Sequence, residues 1–255
     1  MDLNLDITLA NGYTSHSQRA RVLTEPWVAR NVFCPRCGND SLSKYSNNLP
    51  VADFFCSNCA SDFELKSKNG VIGNKIVDGA YEKMVERINC NSNPDFFLMT
   101  YDRQISEVID FIVIPKHFFV NEIIEKRNPL SSSARRAGWI GCNILLQSIP
   151  EQGKIYILKD KRQTPKQIVL DKMHKTKFLE DESLETRGWL IDVLFCVNRI
   201  QNETFTLADI YEFESELGEK HPENHHIKAK IRQQLQVLRD RGLVEFTLRG
   251  IYKKT

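Results

Sequence analysis

The sequence has no long hydrophobic run, almost no net charge and no basic leader at its start, and each absence excludes a class. No apolar stretch approaches the roughly 18 residues that a membrane helix needs, so membrane proteins are set aside. The opening MDLNLDITLANG places acidic residues where a signal peptide would be basic, so a cytoplasmic location is expected. With 35 Lys and Arg against 33 Asp and Glu the formal charge is only +2. That is too weak to announce a nucleic-acid partner, and any such claim must rest on where the charges sit. A disulfide framework is also missing: there are seven cysteines in 255 residues, four of them in two CxxC pairs. Such usage fits metal ligation in a reducing compartment better, with Cys90, Cys142 and Cys196 read as ordinary buried thiols.

What is present is an ordinary globular composition, 41% hydrophobic and 27% charged, long enough for one large domain or two modest ones. Residues 15 to 30 space Val22, Leu23, Trp27 and Val28 as a short helix would, with Pro26 as a kink or break. Two strand-length runs follow, LPVADFF and FELKS, joined through the second CxxC. DGAYEKMVERI (78–88) sets Ala80, Met84 and Ile88 four apart, the stripe of a helix lying on a sheet. DFFLMTY (95–101) and VIDFIVI (108–114) are aromatic and β-branched strands. This order predicts an α/β class, a mixed sheet flanked by helices. From Asn128, NPLSSSARRAGWIGCN reads as a long loop, and KIYILKD as a further strand. Residues 165–188 read as a helix and then a linker.

A second domain begins near Leu184, giving an expected division into 1–183 and 184–255. Its patterns are LETRGWLIDVLFCVNRI, then TLADIYEFESELGEK, started by Thr206 and Asp209 and ended at Gly218, then a helix from about Glu223 to Arg241. LVEFTLRGIYKKT alternates as a hairpin would. Three helices and a basic hairpin outline a mainly α winged helix-turn-helix.

Two motifs carry chemistry. CPRC and CSNC, eighteen residues apart, have the spacing of a four-cysteine zinc ribbon. Cys34, Cys37, Cys56 and Cys59 would close a thiolate shell with no open position for water, so the zinc is structural. Interwoven with it, Asp53 precedes Cys56 by three residues, and Glu64 and Lys66 follow Cys59. Glu64 and Lys66, two apart, share one face of a strand, and Asp53 on the neighbouring strand can meet them. Two adjacent carboxylates suit a hard cation such as Mg²⁺, with the lysine orienting water or offsetting developing charge, as phosphodiester hydrolysis requires. A D…ExK pattern alone is weak, and a solvated strand face would ordinarily explain it. Glu25 is a minor candidate for assisting from the first helix.

The setting changes those odds. PVADF, FELKSK, DGAY, ARRAGWIGCN, NHHIK and KIRQQLQVLRD together resemble the DpnI-type methyl-directed restriction endonucleases over nearly the whole chain. The resemblance implies a PD-(D/E)xK nuclease core with an inserted zinc ribbon, followed by a winged helix. It puts Asp53, Glu64 and Lys66 at the catalytic positions, Asp53 and Glu64 on magnesium, and the four cysteines on zinc. It implies a type II site-specific deoxyribonuclease whose substrate is duplex DNA with N6-methyladenine in GATC. Val51 and Ala52 between Pro50 and Asp53 depart from a literal PD motif.

DNA-reading candidates come from charge placement. Arg135 and Arg136 could meet phosphates and Trp139 a base or methyl group, against the alternative that Trp139 plugs the core. Residues 201–223 hold seven acidic residues and one lysine, whereas residues 224–255 hold eight basic and two acidic. Lys228, Arg232, Gln233, Gln236 and Arg239 lie off the apolar stripe Ile227, Ile231, Leu235 and Leu238. Arg and Gln pair bidentately with guanine and adenine edges, and Arg249, Lys253 and Lys254 on the hairpin suit phosphates. His225 and His226 lack partners at metal-ligand spacing. A Mg²⁺-dependent endonuclease acting as a monomer is the leading expectation. The alternatives are a non-catalytic zinc-ribbon and winged-helix DNA-binding regulator, which has no need of the D…ExK set, and an RNA-processing nuclease.

Overall fold

A computed structural model describes residues 1–46 and 52–255 of the chain. By contacts it divides into two compact units, Met1–Gln147 with Gln152–His174, and Ser148–Glu151 with Lys175–Thr255. Among the described residues no helix is long and apolar enough to cross a membrane.

The first unit opens with helix α1 (His16–Asn31), and two short strands follow, β1 (Ser43–Lys44) and β2 (Phe54–Phe55). Leu49, Pro50 and Val51 of the expected LPVADFF strand lie outside the described residues. Next come β3 (Asp62–Asn69), β4 (Lys75–Ala80), α2 (Tyr81–Asn89), β5 (Asp95–Asp102), β6 (Glu107–Ile114), β7 (Ile124–Lys126), β8 (Gly141–Leu145), β9 (Ile155–Lys159), β10 (Arg162–Gln163) and α3 (Lys166–Thr176). Seven strands form one mixed sheet in the order β1-β2-β3-β5-β6-β9-β10, in which β3 and β5 run parallel and the other pairs antiparallel. β4, β8 and β7 form a separate antiparallel sheet.

The two-residue period of the strands sorts the main sheet into faces. Phe63 of β3, Phe97 and Met99 of β5, and Phe111 and Val113 of β6 are buried in one core with Trp27 and Val28 of α1 and Val169 and Met173 of α3. Phe63 stacks on Phe97 with ring centroids 4.6 Å apart, and Trp27 meets Phe111 at 5.6 Å. Glu64 and Lys66, in register with Phe96 and Leu98, therefore stand on the opposite face.

Several expectations need correction. α1 runs through Pro26 without ending, because fully buried Trp27 and Val28 hold the turns around it in the core. Asp78, Gly79 and Ala80 are strand, not helix, and α2 starts only at Tyr81. The segment after Asn128 gives up its GCN to β8. Cys90 is exposed, whereas Cys142 and Cys196 are buried.

In the second unit lie α4 (Leu184–Arg199), β11 (Thr204–Thr206), α5 (Leu207–Tyr211), α6 (Glu214–Lys220), α7 (Ile227–Asp240), β12 (Val244–Leu248) and β13 (Ile251–Lys254), the strands ordered β11-β13-β12. Thr206 and Asp209 form a reciprocal capping box on α5. The single helix expected from Thr206 to Gly218 is instead two, and Gly218 lies inside the second. Buried Ile231, Leu235 and Leu238 are the inward stripe of α7, joined by Gln234, with Ile227 half-buried at its start. Gly242 ends α7 at φ +68° and Gly250 turns β12 into β13 at φ +77°, both in the left-handed region that glycine enters without strain. This is the winged helix-turn-helix arrangement.

Candidate active site

Two chain reversals of the same form carry the cysteines. In the first, Gly38 N–H donates to Cys34 O and Cys34 N–H to Asn39 O, both at 2.8 Å. In the second, Ala60 N–H donates to Cys56 O at 2.8 Å and Cys56 N–H to Ser61 O at 2.9 Å. The residue after each CxxC must turn left-handed: Gly38 does so at φ +77°, and Ala60 at φ 55° despite its methyl group. The sulfurs converge, all within 4.8 Å of one another, with Cys34 to Cys59 and Cys37 to Cys56 at 3.6 Å. A tetrahedral ion with Zn–S bonds of about 2.3 Å sets its sulfurs about 3.8 Å apart, whereas a disulfide needs about 2.05 Å. The cluster could therefore hold zinc in a closed shell. Asn58 donates an N–H to Cys37 Sγ at 3.4 Å, which favours the thiolate form.

Arg36, inside the first turn, fixes this cluster to the sheet. Its guanidinium grips the carboxylate of Asp95 through Nε, and through Nη2 at 2.6 Å. Asp95 is buried as the first residue of β5 and also accepts Lys116 N–H at 2.7 Å.

The second CxxC in turn places the acidic residues. Asp53 is held in line with β3, its N–H donating to Phe63 O at 3.0 Å and its carbonyl accepting Tyr45 N–H at 2.9 Å. Its Oδ2 accepts the Leu65 N–H at 2.7 Å, so its carboxylate lies between the backbone positions of Glu64 and Lys66. Lys66 Nζ is 2.6 Å from Glu64 Oε1 and 2.5 Å from Asp78 Oδ1, and Arg87 lies 3.9 Å from Glu64 Oε2. Burial raises the pKa of Glu64 above the usual carboxylate range; Lys66 opposes the rise, and Asp78 and Asp53 add to it. For Lys66 burial alone would lower the pKa, but Glu64 and Asp78 outweigh it and hold the ammonium above the ordinary lysine value. Glu25 is buried and paired with Lys44 of β1 at 2.5 Å.

The other candidates fall into two groups. Arg135 and Arg136 are exposed and Trp139 is half-buried, in a loop closed by Leu130 N–H to Trp139 O and Gly138 N–H to Leu130 O, both 3.0 Å. Trp139 does not plug the core: its indole lies over Gly141, where a Cβ would meet the ring at 2.8 Å, and Arg136 stacks on it at 4.5 Å. Lys228, Arg232, Gln233, Gln236 and Arg239 are all exposed on α7, and Arg249 is exposed at the β12–β13 turn. Arg232 donates to Tyr211 Oη at 2.9 Å, Lys228 pairs with Glu214 at 3.1 Å and Arg239 with Asp240 at 2.7 Å.

Compared with known families, residues 1–182 match the Dam-replacing family (DpnI) and residues 185–254 match the Dam-replacing HTH domain. The chain belongs to the Dam-replacing family. As a DpnI-family protein it is a methyl-directed restriction endonuclease, a site-specific deoxyribonuclease that binds DNA. Within this family frame the structure adds two residues that sequence reasoning missed. Asp78 was hidden in a segment read as helix. Arg36 was visible between two cysteines, but nothing local in the sequence marks Asp95 as its partner.

Proposed function

We propose that this family member hydrolyses double-stranded DNA at GATC sites carrying N6-methyladenine, with Mg²⁺ as cofactor and structural zinc. Residues 1–183 would cleave and residues 184–255 would read DNA, in a cytoplasmic monomer. The observation that carries the reading is the gathering of Asp53, Glu64 and Lys66 at β3, with Asp53 three residues along the chain from Cys56 of the four-cysteine cluster. The donor set suits a hard cation. Three carboxylates, Asp53, Glu64 and Asp78, crowd there, and Glu64 remains hard to ionise even with Lys66 beside it. Added positive charge relieves that crowding.

Asp53 and Glu64 would hold the magnesium. When bound, such an ion polarises the scissile phosphate and makes water a better nucleophile. The chain's own groups supply the rest. The Leu65 N–H fixes Asp53, so its carboxylate needs no reorganisation on binding. Lys66, held as an ammonium, orients the attacking water and offsets negative charge building on the phosphate oxygens. Exposed Arg135 and Arg136 would take phosphates, and Trp139 a base or its methyl group. On the winged helix, Arg232, Gln233, Gln236, Arg239 and Lys228 would face the major groove, and Arg249 the backbone.

Lys66→Ala tests the assignment. The variant should bind methylated duplex as the parent does and cut it at least about a hundredfold more slowly. Full cleavage activity would remove Lys66 from the mechanism.

A further inference from the structure

Asp78 belongs to neither the D…ExK pattern nor the zinc cluster, yet its side chain ends at the same ammonium. We infer that Asp78 is the positioning residue for Lys66: it keeps Nζ in place when Glu64 turns to a cation, and it joins that ammonium to the strand bearing the Arg135–Trp139 loop. The inference rests on the reading of Lys66 as a participant in cleavage.

Three observations carry it. Asp78 is almost fully buried, its side chain 4% exposed, and Lys66 is its one ion-pair partner among the described residues. A carboxylate so placed is costly unless paired, so the pair's geometry is tightly constrained. Next, Glu64 and Asp78 hold Nζ between them at 2.6 and 2.5 Å. Were Glu64 the sole partner, drawing its carboxylate toward a cation would leave Lys66 free to swing; with Asp78 present, one anchor stays. Last, Asp78 sits at an irregularity in the β4–β8 ladder, opposite Cys142, while Ala80 pairs with Gly141. Such a bulge re-aims a side chain. Gly141 is the residue on which the Trp139 indole rests, and Tyr81 N–H donates to Ile140 O at 3.2 Å. Thus the loop and the Lys66 anchor are neighbouring residues of one strand pair.

The test compares Asp78→Asn, Asp78→Glu and Lys66→Ala in the full-length zinc-loaded protein. Steady-state cleavage of methylated duplex is followed, and binding of the same duplex is measured in Ca²⁺. For Asp78→Asn the expected result is a kcat lower by about tenfold to a hundredfold, with KM and binding unchanged within about twofold. Asp78→Glu, which keeps the carboxylate, should restore part of kcat. A merely structural role would weaken binding and melting temperature together with activity; that outcome, or no recovery in Asp78→Glu, overturns the inference. Parental activity in Asp78→Asn beside an inactive Lys66→Ala overturns this inference alone. Full activity in Lys66→Ala overturns the active-site reading, and this inference with it.

Discussion

Removing the zinc should stop cleavage while leaving most of the molecule folded. The ion would close the chain between Cys37 and Cys56 across eighteen intervening residues. Releasing a closure of that length returns about 3 kcal/mol of chain entropy, by analogy with a disulfide of similar span. The first turn has a second attachment, the buried Arg36–Asp95 pair. Detaching it would strand a buried carboxylate at a cost of about 3–5 kcal/mol. The second attachment is at least as strong as the gain, so the first turn stays docked. Among the described residues the second turn has no ion pair of this kind. It lets go, and Asp53, three residues before Cys56, loses its register against Phe63 and Leu65. About 3 kcal/mol against the ordered form corresponds to about a hundredfold fewer competent molecules. The assay is the cleavage rate of methylated duplex before and after chelation, with residual zinc measured by metal analysis and folding by circular dichroism. Added Mg²⁺ should not restore the rate, whereas added Zn²⁺ should. A zinc-free preparation that cuts at the parental rate would refute the reasoning, and global unfolding on chelation would refute its localised form.

The remaining predictions concern recognition and pH. Arg232→Ala should weaken DNA binding by about tenfold or more if the guanidinium reads a base, and should lower the salt slope by about one if it meets a phosphate; an unchanged affinity and slope would show that this face of α7 points elsewhere. Gly141→Ala puts a methyl into the Trp139 ring, so the indole must shift, and discrimination between methylated and unmethylated duplex should fall while the melting temperature moves little. Because Glu64 titrates above the ordinary carboxylate range, its ionisation in the metal-free protein costs stability, a cost that starts above about pH 4.5 and is complete once pH passes the raised value. With Glu64 as a magnesium ligand, as proposed, the ion would reverse that cost, so the melting shift produced by Mg²⁺ should grow with pH through this window. A shift that is flat from pH 4.5 to 8 would remove Glu64 from the cation site.

What could be seen in the sequence follows from what each residue's neighbours are. The thiolate set and the Glu64–Lys66 pair are legible because a CxxC turn and a strand period are local rules. β5 and β6 are legible because buried central strands read as dense apolar runs. β4 is not: Val77 and Lys75 are both exposed, and among the described residues the strand's one ladder partner is β8, more than sixty residues away. Missing β4 also misplaced Asp78, since DGAY continues without interruption into the helical stripe of Met84 and Ile88. β11, three residues long, similarly owes its existence to β13. Pro26 misled in the other direction, a local breaker overridden by the burial of Trp27 and Val28. The break between α5 and α6 at Glu212 and Phe213 has no glycine or proline to announce it.

The central claim is that one chain combines methyl recognition with metal-dependent hydrolysis at Asp53, Glu64 and Lys66. The most direct measurement incubates the zinc-loaded protein and Mg²⁺ with three matched substrates: a GATC duplex carrying N6-methyladenine, the same duplex unmethylated, and the corresponding RNA duplex. Cleavage of the methylated DNA alone, abolished by chelating the Mg²⁺, is the predicted result. Equal cleavage of unmethylated DNA or of RNA, or binding of the methylated site without any cutting, would contradict it.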